Sequence, residues 1–542
     1  MKKYILILSV AMMLGVSACS LDQFPDSDIV TDNQKDEVTE NDPSKVVAEI
    51  NGLAAGLIKL NTLELSSTQH FDFGYPAVSL MLDASGADFV ASDIGYNWFS
   101  SSMLYRDRLS TSRPSEMIWR MAYNNIKGAN DILIKTEGMD ATTAQDERTI
   151  KMYKGQAHAN RAFSYMLLVQ AYQYTYIGHE DAPAVPLRLT EGDERATAKR
   201  ATVKQVYDVI LSDLNEAIEL LEGSTRKEKS KVSQQVAYGL RARANLLMNN
   251  WEGAAKDAAK AQLGFRPLSL EEVGKPGFTT ANSDSWMWAN VIDEDNDVVK
   301  TGIVNWPSHL CSFTGNGYTT ATGTYRRINQ PLWEEIPATD IRKQWWADER
   351  LSTTLANDIM LNTSAGPTPA PIALGWQPYT NAKFHAYNNE VMNTTNASDW
   401  PIMRVEEMIF IEAEALAMSG DLGRAKQVLT DFIVANRDPE YVSKASSSQE
   451  FQDEVWMHRR VELWGEGFAL FDILRLKKPL IRAVKRNGEW VSTYDSTCQF
   501  NLEPEADNLI FLIPEKEIEG NIELSPADNN PTAILPKPVA RN

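Results

Sequence analysis

The sequence predicts a mainly α fold: a tetratricopeptide-like superhelix of helix pairs with a large loop-rich insert. Three observations predict it. Capped amphipathic runs fill the first half, and two helix-turn-helix segments, 233–262 and 404–437, resemble each other. Between them, from about 265 to 401, Gly, Pro, Asn, Thr and Trp replace Leu and Ala and the helical period fades. With 542 residues, 43% of them hydrophobic, the chain has ample material for a core. Its 73 acidic residues against 53 basic ones give a net charge of −20, which repels phosphate backbones and argues against nucleic-acid binding.

Lys2 and Lys3 precede a short apolar run, Tyr4 to Val16, too short to span a bilayer and typical of a signal h-region. Val16-Ser17-Ala18-Cys19 then resembles a bacterial lipobox, with Val16 in place of the commoner Leu. That resemblance implies a signal peptide at 1–18, cleavage before Cys19 and lipidation of Cys19. An ordinary secretory signal with a chance cysteine is the alternative. Residues 20–40 are polar, acidic and aperiodic, and read as a tether within 19–41. The remaining cysteines, Cys311 and Cys498, are expected to be free buried thiols.

A single body at 42–542 follows. Asp42-Pro43 opens a helix whose stripe is Val47, Ile50, Ala54 and Leu57. Pro114 opens another that Gly138 closes, and a long helix is predicted from Ala144 to Tyr172. Thr202-Val-Lys-Gln205 is a capping box ahead of Val206, Ile210, Leu214 and Ile218. In the two similar segments, Gly253 and Ala255 match Gly423 and Ala425 in offset, small residues expected to let antiparallel helices approach closely. Each pair leaves an apolar face that must stack on a neighbour. The loop-rich stretch 265–401 is read as an insert packed on this scaffold, since helix pairs resume after it.

Several chemistries lack their residues. Six scattered histidines show no zinc-binding spacing. Asp293-Glu-Asp-Asn-Asp297 begins like a calcium loop, but Val298 and Val304 occupy the glycine and glutamate positions. Gly315-Asn-Gly317 has neither the third glycine nor the helix of a phosphate loop. No Gly-x-Ser-x-Gly occurs. No metal, cofactor or catalytic residue is assigned; a pair of glycosidase carboxylates among the many acidic residues stays open.

Three motifs carry a family resemblance. His458-Arg-Arg-Val-Glu-Leu-Trp-Gly-Glu-Gly467 with Phe471-Asp-Ile-Leu-Arg475 is the most specific. Arg404-Val-Glu-Glu407 with Glu412-Ala-Glu-Ala415, and Leu512-Ile-Pro514 with Asn529-Asn-Pro531, are the others. Together with the lipobox and the helix pairs they resemble the SusD/RagB family of Bacteroidetes outer-membrane lipoproteins. The chain departs at His458 (usually Glu), Phe468 (often Arg) and Asn529 (often Gln). The resemblance implies a cell-surface binding protein, not an enzyme, seated over a SusC-like TonB-dependent transporter. It would capture a glycan, or alternatively a peptide, and pass it inward. Arg459, Glu462 and Glu466, spaced three and four apart, are read as a partly buried structural ion network on one helical face.

Eight of the fourteen tryptophans fall between 286 and 400, in loop-rich sequence. Indole faces stack on the apolar C–H face of a sugar, so loop tryptophans suggest glycan capture. A second aromatic, aperiodic stretch is Asp93 to Phe99. The expected platform is Tyr96, Asn97 and Trp98 with Trp286, Trp288, Trp306, Tyr318 and Tyr325. Trp286 and Trp288 alternate, so a strand could turn both outward on only one face.

Overall fold

A computed structural model describes residues 46–93, 95–189, 198–226 and 228–540. The expected signal peptide, Cys19, the tether and the Asp42-Pro43 cap lie outside the described residues.

The first helices are α1 (Val47–Gly56), α2 (Tyr75–Ala84), α3 (Arg113–Glu137) and α4 (Ala144–Tyr172). They continue with α5 (Val203–Leu220), α6 (Gln234–Leu247) and α7 (Trp251–Ala261). Local chemistry sets their ends. Pro114 lies in the first turn of α3, and Thr143 with Asp146 forms a capping box on α4. The predicted box caps α5: Gln205 N–H donates to Thr202 Oγ1 at 3.2 Å, and Thr202 N–H to Gln205 Oε1 at 2.8 Å. Helices α3, α4, α5, α6 and α7 pack in chain order, each on the next.

After the insert the chain resumes with α8 (Val405–Met418), α9 (Leu422–Asn436), α10 (Ser448–Glu462) and α11 (Ala469–Arg475). Helix α7 packs directly on α8, so the helical stack runs on as if the insert were absent. The buried alanines Ala254, Ala258, Ala261 and Ala425 allow the close approaches. Gly423 differs from the expectation, because a Cβ there would meet only its own cap, Asp421, at 3.9 Å.

Strands β1 (Phe89–Val90), β2 (Trp286–Asn290), β3 (Arg327–Ile328) and β4 (Trp400–Arg404) tie the insert down. The antiparallel pair β2–β4 closes the insert at its base, with Trp286 opposite Arg404 and Asn290 opposite Trp400. Both strands are buried along their whole length. The antiparallel pair β1–β3 joins the early chain to the middle of the insert.

Buried ions fasten the same junction. Glu462 accepts from Arg437 at 2.7 Å, Arg404 at 3.1 Å and Arg342 at 3.2 Å. Glu466 accepts from Lys383 at 2.7 Å and Arg404 at 2.8 Å. Glu406 and Asp340 complete the set, pairing with Arg404 and Arg437 and with Arg342. Four carboxylates thus face four cations, two of them (Arg342 and Lys383) from the insert. The expected single face of Arg459, Glu462 and Glu466 needs correcting. Helix α10 ends at Glu462, and the chain turns through Gly465 and Gly467, at φ +83° and +91°. Glu466 therefore lies beyond the helix, and the network is fully rather than partly buried. Arg459 belongs to a neighbouring group, pairing with Asp472 at 2.8 Å, beside Arg475 and Glu414.

The departures from the family pattern have structural partners. His458 Nδ1 accepts from Arg342 at 2.9 Å, and burial pushes the imidazole pKa down to about 3. Asn529 brackets Ile513, accepting from its N–H at 2.8 Å and donating to its carbonyl at 2.9 Å. Cys311 and Cys498 are free and buried.

Candidate functional site

Sequence places rings on the stretch after Asp93; hydrogen bonds decide how they stand. Asn97 donates to the Ser92 carbonyl at 2.7 Å and accepts from Phe99 N–H at 3.2 Å and Arg326 Nη1 at 2.9 Å. Its amide is buried and engaged by the loop and by Arg326, so Asn97 shapes the loop and presents no exposed edge. The flanking side chains are pushed outward: Tyr96 is 53% exposed and Trp98 38%.

Both rings lean on others. Trp98 stacks on His70, centroids 4.4 Å apart and planes 15° from parallel. Tyr96 stacks on Tyr318 at 5.9 Å and 20°. Tyr318 also meets Trp98 edge-on at 6.0 Å and bonds through its hydroxyl to His70 Nδ1. Tyr318 itself is buried, the floor of the cluster, and burial pushes its phenol up to about 12. Gly315 and Gly317 explain its position. A Cβ on Gly317 would lie 2.6 Å from Ser308 Cα, and one on Gly315 2.2 Å from the Met392 carbonyl oxygen. Only glycine lets this turn lie flat against its neighbours.

A second tier lies beneath. His309 is buried, stacks on Phe73 at 5.4 Å and donates from Nε2 to the His70 carbonyl at 3.0 Å. Burial and the nearby Arg326 charge hold its pKa well below the usual histidine value, so the ring is neutral. His70, too, is lowered by burial. The result is a neutral, solvent-facing aromatic ledge with two supported rings.

The other expected platform residues are elsewhere. Trp286 and Trp288 are 1% and 0% exposed, since both faces of β2 are covered and not one. Trp288 packs edge-on against Phe163 of α4 at 4.9 Å and donates to the Ser230 carbonyl at 3.1 Å. Trp306 is buried against Trp400 at 5.2 Å and donates to the Ser398 carbonyl at 2.8 Å. Tyr325 is buried with its hydroxyl on the Leu374 carbonyl. These four rings hold the insert together and present no face to solvent. The expectation for them is corrected; Tyr96, Trp98 and Tyr318 are brought together. Sequence reasoning missed His70, His309 and Arg326, isolated residues with no local pattern.

The acidic run at 293–297 is a capped turn: Asn296 caps the short helix Asp297–Lys300, and Asp293 accepts from Asp295 N–H at 3.0 Å. A cavity of about 60 Å³ among α4, α6, α8 and α11 shares no lining residue with the ring cluster. It is far smaller than the roughly 300 Å³ of small ligand pockets.

Residues 81–246 match a family described as "Starch-binding associating with outer membrane", and residues 284–529 match the SusD family. The chain belongs to the SusD/RagB family. Solved SusD-like structures share its fold. A SusD-like carbohydrate-binding protein from Bacteroides vulgatus ATCC 8482 is 22% identical, with a TM-score of 0.72 over 91% of this chain and 99% of that one. A SusD superfamily protein from Bacteroides thetaiotaomicron VPI-5482 is 20% identical, with a TM-score of 0.69 over 90% of this chain and 100% of that one. A laminarin-binding SusD-like protein is 18% identical, with a TM-score of 0.61 over 91% of this chain and 99% of that one. No curated protein matches the chain. SusD-like proteins are binding proteins, associated with the outer membrane. Among the described residues no helix is long and apolar enough to cross a membrane.

Proposed function

We propose that this protein is a lipid-anchored cell-surface protein that captures a glycan and delivers it to a SusC-like TonB-dependent transporter. One observation carries the capture step: Tyr96 and Trp98 stand exposed on a supported aromatic ledge. A sugar ring offers an apolar C–H face to such a surface, and its hydroxyl edges bond to polar groups around it. Aromatic pairs contribute about 0.5–1.5 kcal/mol each beyond area burial, a scale that makes two rings a useful but reversible trap. The laminarin-binding relative favours glycan over peptide.

Cys19 is the anchor. Each buried methylene contributes about 0.8 kcal/mol, so several acyl chains hold stably where one does not. Delivery rests on the family resemblance, and co-purification with an outer-membrane barrel tests it.

Affinity electrophoresis against a polysaccharide panel that includes laminarin tests capture. Retardation by at least one glycan, weakened in Trp98→Ala, is expected. Retention of peptides alone would move the reading to peptide capture, and new reducing ends would make the protein a hydrolase.

A further inference from the structure

Arg326 stands just ahead of β3 and is 1% exposed. The two fully buried insert cations of the closing network have carboxylate partners, Arg342 in Asp340 and Glu462 and Lys383 in Glu466. Arg326 has none among the described residues. Its Nη1 donates to Asn97 Oδ1 at 2.9 Å, while Nε and Nη2 have no partner. The guanidinium lies near the rings of Phe89 and Phe99, at 5.7 and 5.8 Å. An unpaired buried charge is costly, and an apolar side chain of similar volume would fill the same space without that cost.

What Arg326 does touch is Asn97, a side chain that shapes the Tyr96–Trp98 turn, while Asp495 accepts from Asp93 N–H at 3.0 Å at the start of the same loop. The backbone of Arg326 is fixed, because its carbonyl accepts from Asn381 N–H at 2.9 Å. It therefore ties the early loop to the rigid insert through a charge-assisted hydrogen bond. Its charge also acts on His309, which supports His70 beneath Trp98.

We infer that Arg326 is a positioning residue for the ring ledge, retained at a cost in stability to hold Tyr96 and Trp98 in place through Asn97. This rests on the capture reading for its purpose, but the latch itself is testable without ligand.

Arg326→Met should melt at or above the wild-type temperature. Amide exchange should quicken at 95–100 and stay unchanged in α4 and α8. If the ordered ledge falls to about a tenth of the population, the apparent Kd for laminarin, or for whichever panel polysaccharide the wild type retains, rises about tenfold. Asn97→Ala, which leaves the guanidinium without its hydrogen-bond partner, should lose binding similarly but melt lower. A lower melting temperature with faster exchange throughout Arg326→Met would make Arg326 an ordinary structural residue and overturn the inference. So would wild-type exchange at 95–100. If no polysaccharide binds the wild type, the capture reading fails, and exchange and melting still decide the latch.

Discussion

The ring-bearing stretch at 96–98 and the tryptophans of the insert use the same residue types for opposite ends. Tyr96 and Trp98 flank an asparagine whose amide is held by backbone and arginine, and the turn throws both rings outward. Trp286, Trp288 and Trp306 sit on a strand pair and a short helix at the base of the insert, with their indole N–H groups or faces engaged by the core. The difference teaches that ring density marks where an irregular segment needs a core, whereas exposure depends on which polar group fixes the turn. An insert with little regular structure cannot bury aliphatic stripes, so large flat side chains fill its gaps.

That contrast can be broken in order of expected effect. Trp288→Ala should cost about 3–5 kcal/mol of unfolding free energy in a denaturant titration, because it empties a packed site between β2 and α4. A loss below about 1 kcal/mol would mean that the ring is not core. Glu466→Ala should cost a similar 3–5 kcal/mol, since it strands Lys383 and part of Arg404 without a counter-charge. Glycan affinity should persist in whatever protein folds; a stable variant that had lost only binding would contradict the structural role of the network.

Acid should expose the same junction. The His458 pKa is lowered to about 3 from an ordinary 6.5, so the native state binds fewer protons there than the unfolded chain does between those values. Its contribution to stability is complete above pH 6.5 and is lost as pH falls toward about 3. Glu462, held well below its ordinary 4.5 by its three arginines against the opposing effect of burial, adds to the acid side of the slope. His458→Gln, whose amide oxygen can still accept from Arg342, should flatten the slope between those limits. An unchanged slope would place the acid sensitivity elsewhere. The smallest effect on stability is expected at the ledge: Trp98→Ala should cost about 0.5–1.5 kcal/mol through its lost stack on His70 and weaken glycan binding by up to about tenfold, the equivalent of one stacked ring.

Helix caps were legible because their chemistry is local: Thr202 and Gln205 need only each other, and Pro114 only its own ring. The stacking of α7 on α8 was legible as a repeated pattern, although the insert separates them in sequence. The ledge was half legible. Tyr96 and Trp98 stood out as aromatics without helical period, but His70, His309 and Arg326 reach the site from remote segments, each as a single residue. The insert tryptophans misled because non-periodic sequence hides its own burial: β2 is covered on both faces, a circumstance that alternation along one strand does not reveal.

The most direct test of the account is titration calorimetry of the retained polysaccharide into wild type and Trp98→Ala, with melting curves on the same samples. Trp98→Ala should weaken binding while its melting curve stays close to that of the wild type. Wild-type affinity in that variant would place capture away from the ledge and contradict it.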